Sequence, residues 1–349
     1  MTKEQRLKIL KPLLAAVIAA VSLTTIICIQ VERKKRFHTY AGSTIKCVLD
    51  IRQHNDTTKG LVSGYNYALL KKFAESVGSE AEIALAEEDE NSLDSLRAGS
   101  VDIVVLPNPS EHDLEGLGVS IPEDSLTMWV SASIRCAPEI DAWMKEFPQT
   151  EGFQDMKESF LRVLFNPGRV AELGRKVRHI SPYDDLFREA VSALQWDDWR
   201  KFAAIVFHES KFRIDVRSAK GAAGLMQMMP RTADRFGVEN AIDPAQSVKA
   251  GAEYLRTLQG IFRKYARTDE LFHFTMAAYN AGEGNILKCI RYADSLGVYD
   301  STWTCIREIM PVMARDSVTG PGNFRYRETI YYVDCIDSLS RAFAAISDL

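Results

Sequence analysis

Between about residues 43 and 134 the chain alternates strand-like with helix-like stretches, and from about residue 184 to its end every periodic stretch is helical. Such a change of period leaves few architectures open. TIKCVLDI, EAEIALA, VDIVVLP and LTMWVSASI read as strands. VDIVVLP is apolar without a break, as a strand covered on both faces is. SGYNYALLKKFAESVGS reads as a helix that puts Tyr67, Leu70, Phe73, Ala74 and Val77 on one face, with Gly78 past its end. NSLDSLRAGS reads as a short helix ended by Gly99, and EEDE at 87–90 as a solvated loop. Helices are expected at 184–194, 198–212, 231–236, 246–259, 270–281, 284–294, 302–314 and 327–346. In the last, Ile330, Val333, Ile336, Leu339, Phe343 and Ile346 recur at helical spacing. The fold class is α+β multidomain: a small α/β lobe at 43–165, a linker at 166–183 and an all-α domain at 184–349.

The N-terminal stretch 1–36 is of another kind. Residues 12–31 carry no charge, the length of a bilayer-spanning helix. The run is long for a signal peptide and no Ala-x-Ala site follows it, so an uncleaved membrane anchor is expected. Cys28, in TIIC, fits a lipoprotein attachment site poorly. Lys3, Arg6, Lys8 and Lys11 precede the run and Arg33, Lys34, Lys35 and Arg36 follow it, so positive charge does not choose an orientation. Apolar residues make up 46% of 349, enough for the cores of two domains. A net charge of −4 argues against a nucleic-acid partner. Cys47, Cys136, Cys289, Cys305 and Cys335 are scattered without a C-x-x-C and read as small buried hydrophobes. HESKF opens like the zinc motif H-E-x-x-H, but Phe212 stands at the second ligand position, so neither a metal nor another cofactor is expected.

The chemistry points to FHESKFRIDVRSAKGAAGLMQMMP, residues 207–230. On a helix opened by Asp197 or Asp198, Glu209 shares a side with Phe202, Ile205 and Val206. Burial raises a carboxyl pKa, and a glutamate that keeps its proton near neutral pH is the acid that glycoside cleavage requires. The alternative is a structural glutamate paired with Arg200 or Lys211. The following stretch is too glycine-rich for a helix and too apolar for a solvated loop. Gly221 and Gly224 permit close backbone approach, and Gln227 offers an amide in apolar company. Further on, FTMAAYNAGEGNI sets Tyr279 and Asn280 at the end of an apolar helix.

Two resemblances enter here. GYNYALLKKFAESVG and LRAGSVDIVV resemble the periplasmic solute-binding fold that serves amino acids, over about 43–165. In that family a second lobe separates the third strand from the returning one. Here only NPSEHDLEGLGVSIPEDS does, so a one-lobe structural or docking module is implied. ES, then S…GA.GLMQ.MP.TA, then AAYNAG resemble the lysozyme-like domain of soluble-type lytic transglycosylases, over about 180–349. ISPYDDLF upstream and the solute-binding lobe make it similar to the membrane-bound lytic murein transglycosylase F type. The resemblance implies that Glu209 is the single catalytic acid. It implies that Ser218 and Gln227 hold acetamido groups, that Met226 walls the sugar groove, that the Tyr279 hydroxyl steers Glu209, and that Asn280 neighbours it. Glu328 and Tyr331 match the C-terminal block of the subfamily, whereas Tyr326 and Arg327 replace its glycines.

The implied partner is the peptidoglycan glycan strand. Glu209 would protonate the oxygen between N-acetylmuramic acid and N-acetylglucosamine, and then, as a base, help the muramoyl C6 hydroxyl close a 1,6-anhydro ring. Murein lies outside the inner membrane, which would place residues after 36 in the periplasm of a bacterial envelope. Two rivals remain: a silent peptidoglycan-binding scaffold, and a hydrolytic muramidase with Asp215 or Asp243 as its second acid.

Overall fold

The structure is a computed structural model that describes residues 40, 42–123, 126–132, 137–161, 179–315 and 325–345. The expected anchor at 12–31, Cys28, Cys136, most of the linker and Ile346 lie outside the described residues. Among those described, no helix is long and apolar enough to cross a membrane. The chain divides into two compact units. One takes the chain up to Asp50 together with Tyr67–Phe147; the other takes Ile51–Asn66 and Pro148–Leu349. This division differs from the expected lobe at 43–165 in two stretches, since 51–66 and 148–161 belong with the helical unit.

The first unit is built on a five-stranded sheet ordered β2-β1-β3-β5-β4. Its strands are β1 (Thr44–Leu49), β2 (Glu80–Leu85), β3 (Ile103–Pro107), β4 (Gly118–Ser120) and β5 (Thr127–Ser131). β1 runs parallel to β2 and β3, with Cys47 opposite both Ile83 and Ile103. β5 turns back antiparallel to β3 and to β4. Helices α1 (Asp56–Ser76) and α2 (Ser92–Arg97) make the crossovers that parallel strands require. The Asn91 side chain caps α2 by accepting from the Leu93 N–H at 3.2 Å. One face of the sheet buries Val48, Val104, Leu106 and Val130 against Leu93 and Leu96. A second cluster joins Phe73, Trp129 and Trp143, the last from α3 (Ala137–Glu146). The four expected strands are present. The three-residue β4 lies in a stretch read as a connection, because a strand so short shows no alternation. The helix expected from residue 63 starts at Asp56, with an opening, DTTKGLV, that lacks a regular apolar stripe.

The second unit is helical. It comprises α4 (Glu151–Leu161), α5 (Asp184–Leu194), α6 (Arg200–Ser210), α7 (Pro230–Arg235), α8 (Pro244–Phe262), α9 (Leu271–Ala281), α10 (Glu283–Ser295), α11 (Trp303–Arg315) and α12 (Tyr326–Ala344). α3 and α4 fall where no helix was read; their charged residues hide the apolar stripe that buries Ile140 in one and Phe153 in the other. α6 is the central element. Phe202, Ala203, Ala204, Ile205, Val206 and Phe207 are all buried. α12 packs on α6 and on α9, and α8 packs on α5 and α9. The first turns of α1 join this unit through a polar contact. Ser63 Oγ donates to Asp215 Oδ1 at 2.9 Å, and a Cβ at Gly60 would stand 2.4 Å from the Arg213 side chain.

Candidate active site

Glu209 sits in the last turn of α6, where the helix stops abruptly. Lys211 and Phe212 both take left-handed backbone, φ 56° and 61°, which non-glycine residues adopt only when packing holds them there. The Phe212 ring is so held, between Phe187, Phe207 and Phe343. Lys211 Nζ donates to the carbonyls of Phe207 at 3.0 Å and His208 at 3.3 Å, a use of a cation at a helix C-terminus. The carboxyl of Glu209 is therefore carried on a short rigid helix rather than on a loop. It is half-buried, and burial lifts its pKa from 4.5 to about 7, against the opposing pull of a Tyr332 hydrogen bond and the Lys211 charge. Neither Arg200 nor Lys211 forms an ion pair with it: Arg200 bonds Asp198 at 3.1 Å, and the Asp198 carboxylate also accepts the Arg200 N–H at 2.9 Å, although the N-cap of α6 is Trp199 and not the expected Asp197 or Asp198.

The hydroxyl that meets Glu209 is that of Tyr332, donating to Oε1 at 2.6 Å. This corrects the expectation for Tyr279, whose hydroxyl donates instead to the Met226 carbonyl at 2.7 Å. Tyr279 is nonetheless near, since the Glu209 charge helps raise its pKa far above the ordinary tyrosine value, after burial. Tyr332 is raised in the same way and stays a neutral donor. Tyr332, and not the expected Tyr331, is the tyrosine of α12 that reaches the site. Tyr331 is 67% exposed, while Tyr332 is buried beside Thr329, Val333 and Ile336. A count of four back from Ile336 was the available signal, because residues four apart share a helix face.

The segment between α6 and α7 folds as a small hairpin-like loop, with isolated bridges from Ala223 to Arg217 and to Met228. Gly224 makes it possible. Its φ is +72°, and a Cβ there would stand 1.9 Å from the Ala241 carbonyl oxygen. The Ser218 hydroxyl accepts the Ala222 N–H at 3.0 Å and is exposed. Gln227 spends its amide N–H groups on the carbonyls of Val216 and Gly224, both at 2.9 Å. Met226, expected as a groove wall, is fully buried and packs on Gly251 of α8; its outward role is its carbonyl. Asn280 is exposed at the end of α9 and accepts from Thr329 at 3.0 Å, a bond that ties α9 to α12. Glu328 is exposed and pairs with Arg325 at 2.8 Å, and neither it nor Tyr331 is brought to Glu209. Arg327 and Tyr326 bond each other at 3.2 Å on the surface.

The two acids proposed as partners for Glu209 are engaged elsewhere. The Asp215 side chain is buried and bonded to Arg213 at 2.7 Å and to Ser63. Asp243 caps α8 by accepting from Ala245 and Gln246. What the geometry assembles is one carboxyl poised near neutrality, a neutral phenol upon it, and a glycine-containing loop fastened by a second phenol.

Residues 186–300 match the family described as Transglycosylase SLT domain. Membrane-bound lytic murein transglycosylase F of Shewanella woodyi is 34% identical over 142 residues, covering 40% of this chain and 30% of that protein. The protein of the same name from Pasteurella multocida is 36% identical over 142 residues, covering 40% and 29%. That of Stutzerimonas stutzeri is 27% identical over 228 residues, covering 62% and 46%. Among solved structures, the 70 kDa soluble lytic transglycosylase of Escherichia coli is 27% identical, with 47% of this chain and 25% of that one covered at a TM-score of 0.34. The chain thus spans about 30% of the length of the first curated relatives it matches. Residues 186–300, which carry Glu209, Gln227 and Tyr279, match the Transglycosylase SLT domain, and over 142 residues the chain is similar to membrane-bound lytic murein transglycosylase F.

Proposed function

We propose that the protein is a peptidoglycan lytic transglycosylase that cleaves between N-acetylmuramic acid and N-acetylglucosamine without water, with Glu209 as acid and then as base. The observation that carries this reading is the state of Glu209: burial holds its pKa at about 7, and no ion pair fixes its charge. A carboxyl at that pKa is protonated often enough to donate to the glycosidic oxygen, and ionised often enough to take a proton back. The Tyr332 hydroxyl orients it through both states. The engagement of Asp215 and Asp243 favours a route with one acid over hydrolysis with two. On this route the C1–O bond to the leaving sugar breaks as Glu209 protonates that oxygen, while the substrate acetamido group stabilises C1. The muramoyl C6 oxygen then bonds C1, and its proton returns to Glu209. Ser218, Gln227 and Asn280 would contact the sugars. Glycan strands would be the partner, with residues 12–31 as the anchor and the residues after 36 in the periplasm.

Mass spectrometry of products from purified murein tests the reading. The expected product is lighter by one water than a hydrolytic muropeptide, and Glu209→Gln should lower its formation by orders of magnitude with the fold intact. Products of full hydrolytic mass, or near-normal cleavage by the variant, would sink it.

A further inference from the structure

A cavity of about 370 Å³ opens at the far end of the helical unit, between the C-terminal ends of α5 and α8 and the start of α9. It is distinct from the Glu209 site. Phe272, which lines it, precedes Tyr279 by seven residues on α9, roughly 10 Å along the axis. One wall is apolar: Leu194 is buried there, and Trp196 meets Phe272 edge to face with ring centroids 5.3 Å apart. The other wall is polar, and its charges are unevenly spent. Lys201 bonds Asp197 at 2.7 Å, and Asp269 bonds Arg267 at 2.9 Å. Arg263 is exposed and has no acidic partner among the described residues. Gln259 is 8% exposed, lines the cavity, and has no hydrogen-bond partner for its side-chain amide among the described residues. Its amide is not sealed from solvent, so it is open to a ligand's peptide group at the cavity.

We propose that this cavity binds a short peptide by its free C-terminal carboxylate, with Arg263 clasping the carboxylate, Gln259 pairing with the adjoining peptide group, and Trp196 and Phe272 covering a small apolar side chain. One unspent guanidinium matches one carboxylate in the forked geometry that both groups favour. The carboxylates of Asp197 and Asp269 at the same cavity disfavour a dianion such as phosphate. The volume lies at the small end of the range for ligand sites, enough for a residue or two. The proposal does not depend on what Glu209 does.

Titration calorimetry on the full chain tests it, with N-acetyl-D-alanyl-D-alanine and N-acetyl-L-alanyl-L-alanine as probes beside their C-terminal amides and chitotriose. At least one acid should bind saturably, its amide at least about tenfold more weakly. Arg263→Leu and Gln259→Leu should each weaken the acid by about tenfold or more at unchanged melting temperature. Arg263→Lys, which keeps the charge and loses the fork, should weaken it as well. Glu209→Gln should bind it as the wild type does. The absence of saturable heat with either acid at millimolar concentration would overturn the proposal. So would equal binding of acid and amide, insensitivity to both Arg263 variants, or an Arg263-dependent isotherm with chitotriose in place of the peptides.

Discussion

Burial lifts the Glu209 pKa, while the Tyr332 hydroxyl and the Lys211 charge lower it, and the balance lies at about 7. Two predictions follow from the sign of each influence. Tyr332 bonds the ionised form more strongly, so Tyr332→Phe should raise the Glu209 pKa and move the alkaline limb of the kcat profile upward. Turnover should fall more than stability, since one hydrogen bond contributes about 0.5–1.5 kcal/mol net. An unmoved limb in a pH–rate series would count against Tyr332 as the orienting group. The second concerns stability. The folded protein holds the Glu209 proton more tightly than the unfolded chain, so this site favours folding at low pH. That contribution declines as pH rises from about 4.5 to about 7. Glu209→Gln does not titrate. It should therefore be the more stable protein above pH 7 by about 1–3 kcal/mol, with the gap closing as pH falls towards 4.5. Thermal melts across that window check it.

At the scale of elements, the site depends on how α12 is held, because α12 carries Tyr332 to α6 and Thr329 to Asn280. A third bond secures the same helix. His273, in the first turn of α9, sits between two carboxylates, with Nε2 3.0 Å from Asp337 of α12 and Nδ1 3.0 Å from Glu270. Both ring nitrogens face acceptors, so the imidazolium serves better than either neutral tautomer. Its pKa is accordingly raised, first by the Asp337 hydrogen bond, against the effect of burial. A histidine with a raised folded pKa contributes stability that is full below its unfolded value of 6.5 and lost as pH rises through the folded one. His273→Gln should lower stability by about 1–2 kcal/mol at pH 5–6, as expected for charge-assisted bonds in part exposed to water, and by less at pH 8 and above. Melts of both proteins at the two pH values check this; a deficit independent of pH would show that packing, not charge, holds the helix.

At the scale of the whole molecule, the chain joins a mixed-sheet unit to a helical one, and the sheet unit is small. Its β3 and β5 are antiparallel neighbours, and among the described residues the connection between them holds no element longer than the three-residue β4. Two-lobed binders enclose small ligands between lobes, and burial on most sides is what gives such sites their affinity. We expect calorimetry of the full chain with free amino acids to show no saturable binding below millimolar concentration. A micromolar isotherm would show that the sheet unit senses a ligand after all.

Local periodicity determined the kinds of element and much of their placement. α5 spans the expected residues, α9 and α10 lie within one residue of expectation, and the four longer strands are where alternation or unbroken apolar runs placed them. Each of these is a property of neighbours in sequence, which propensity and side-chain period encode directly. The single carboxylate was legible for the same reason, as a charge on the apolar side of α6. What meets that carboxylate was not. Tyr332 is 123 positions away, Asp215 is claimed by Ser63 from 152 positions away, and Met226 is drawn under α8 by a glycine. A side chain's partner across the core depends on which helix faces are pressed together, and that follows from packing all the helices at once. The sequence therefore determined that Glu209 would lie on the apolar side of its helix, and only the tertiary structure decided that Tyr332, rather than Tyr279, would bond it.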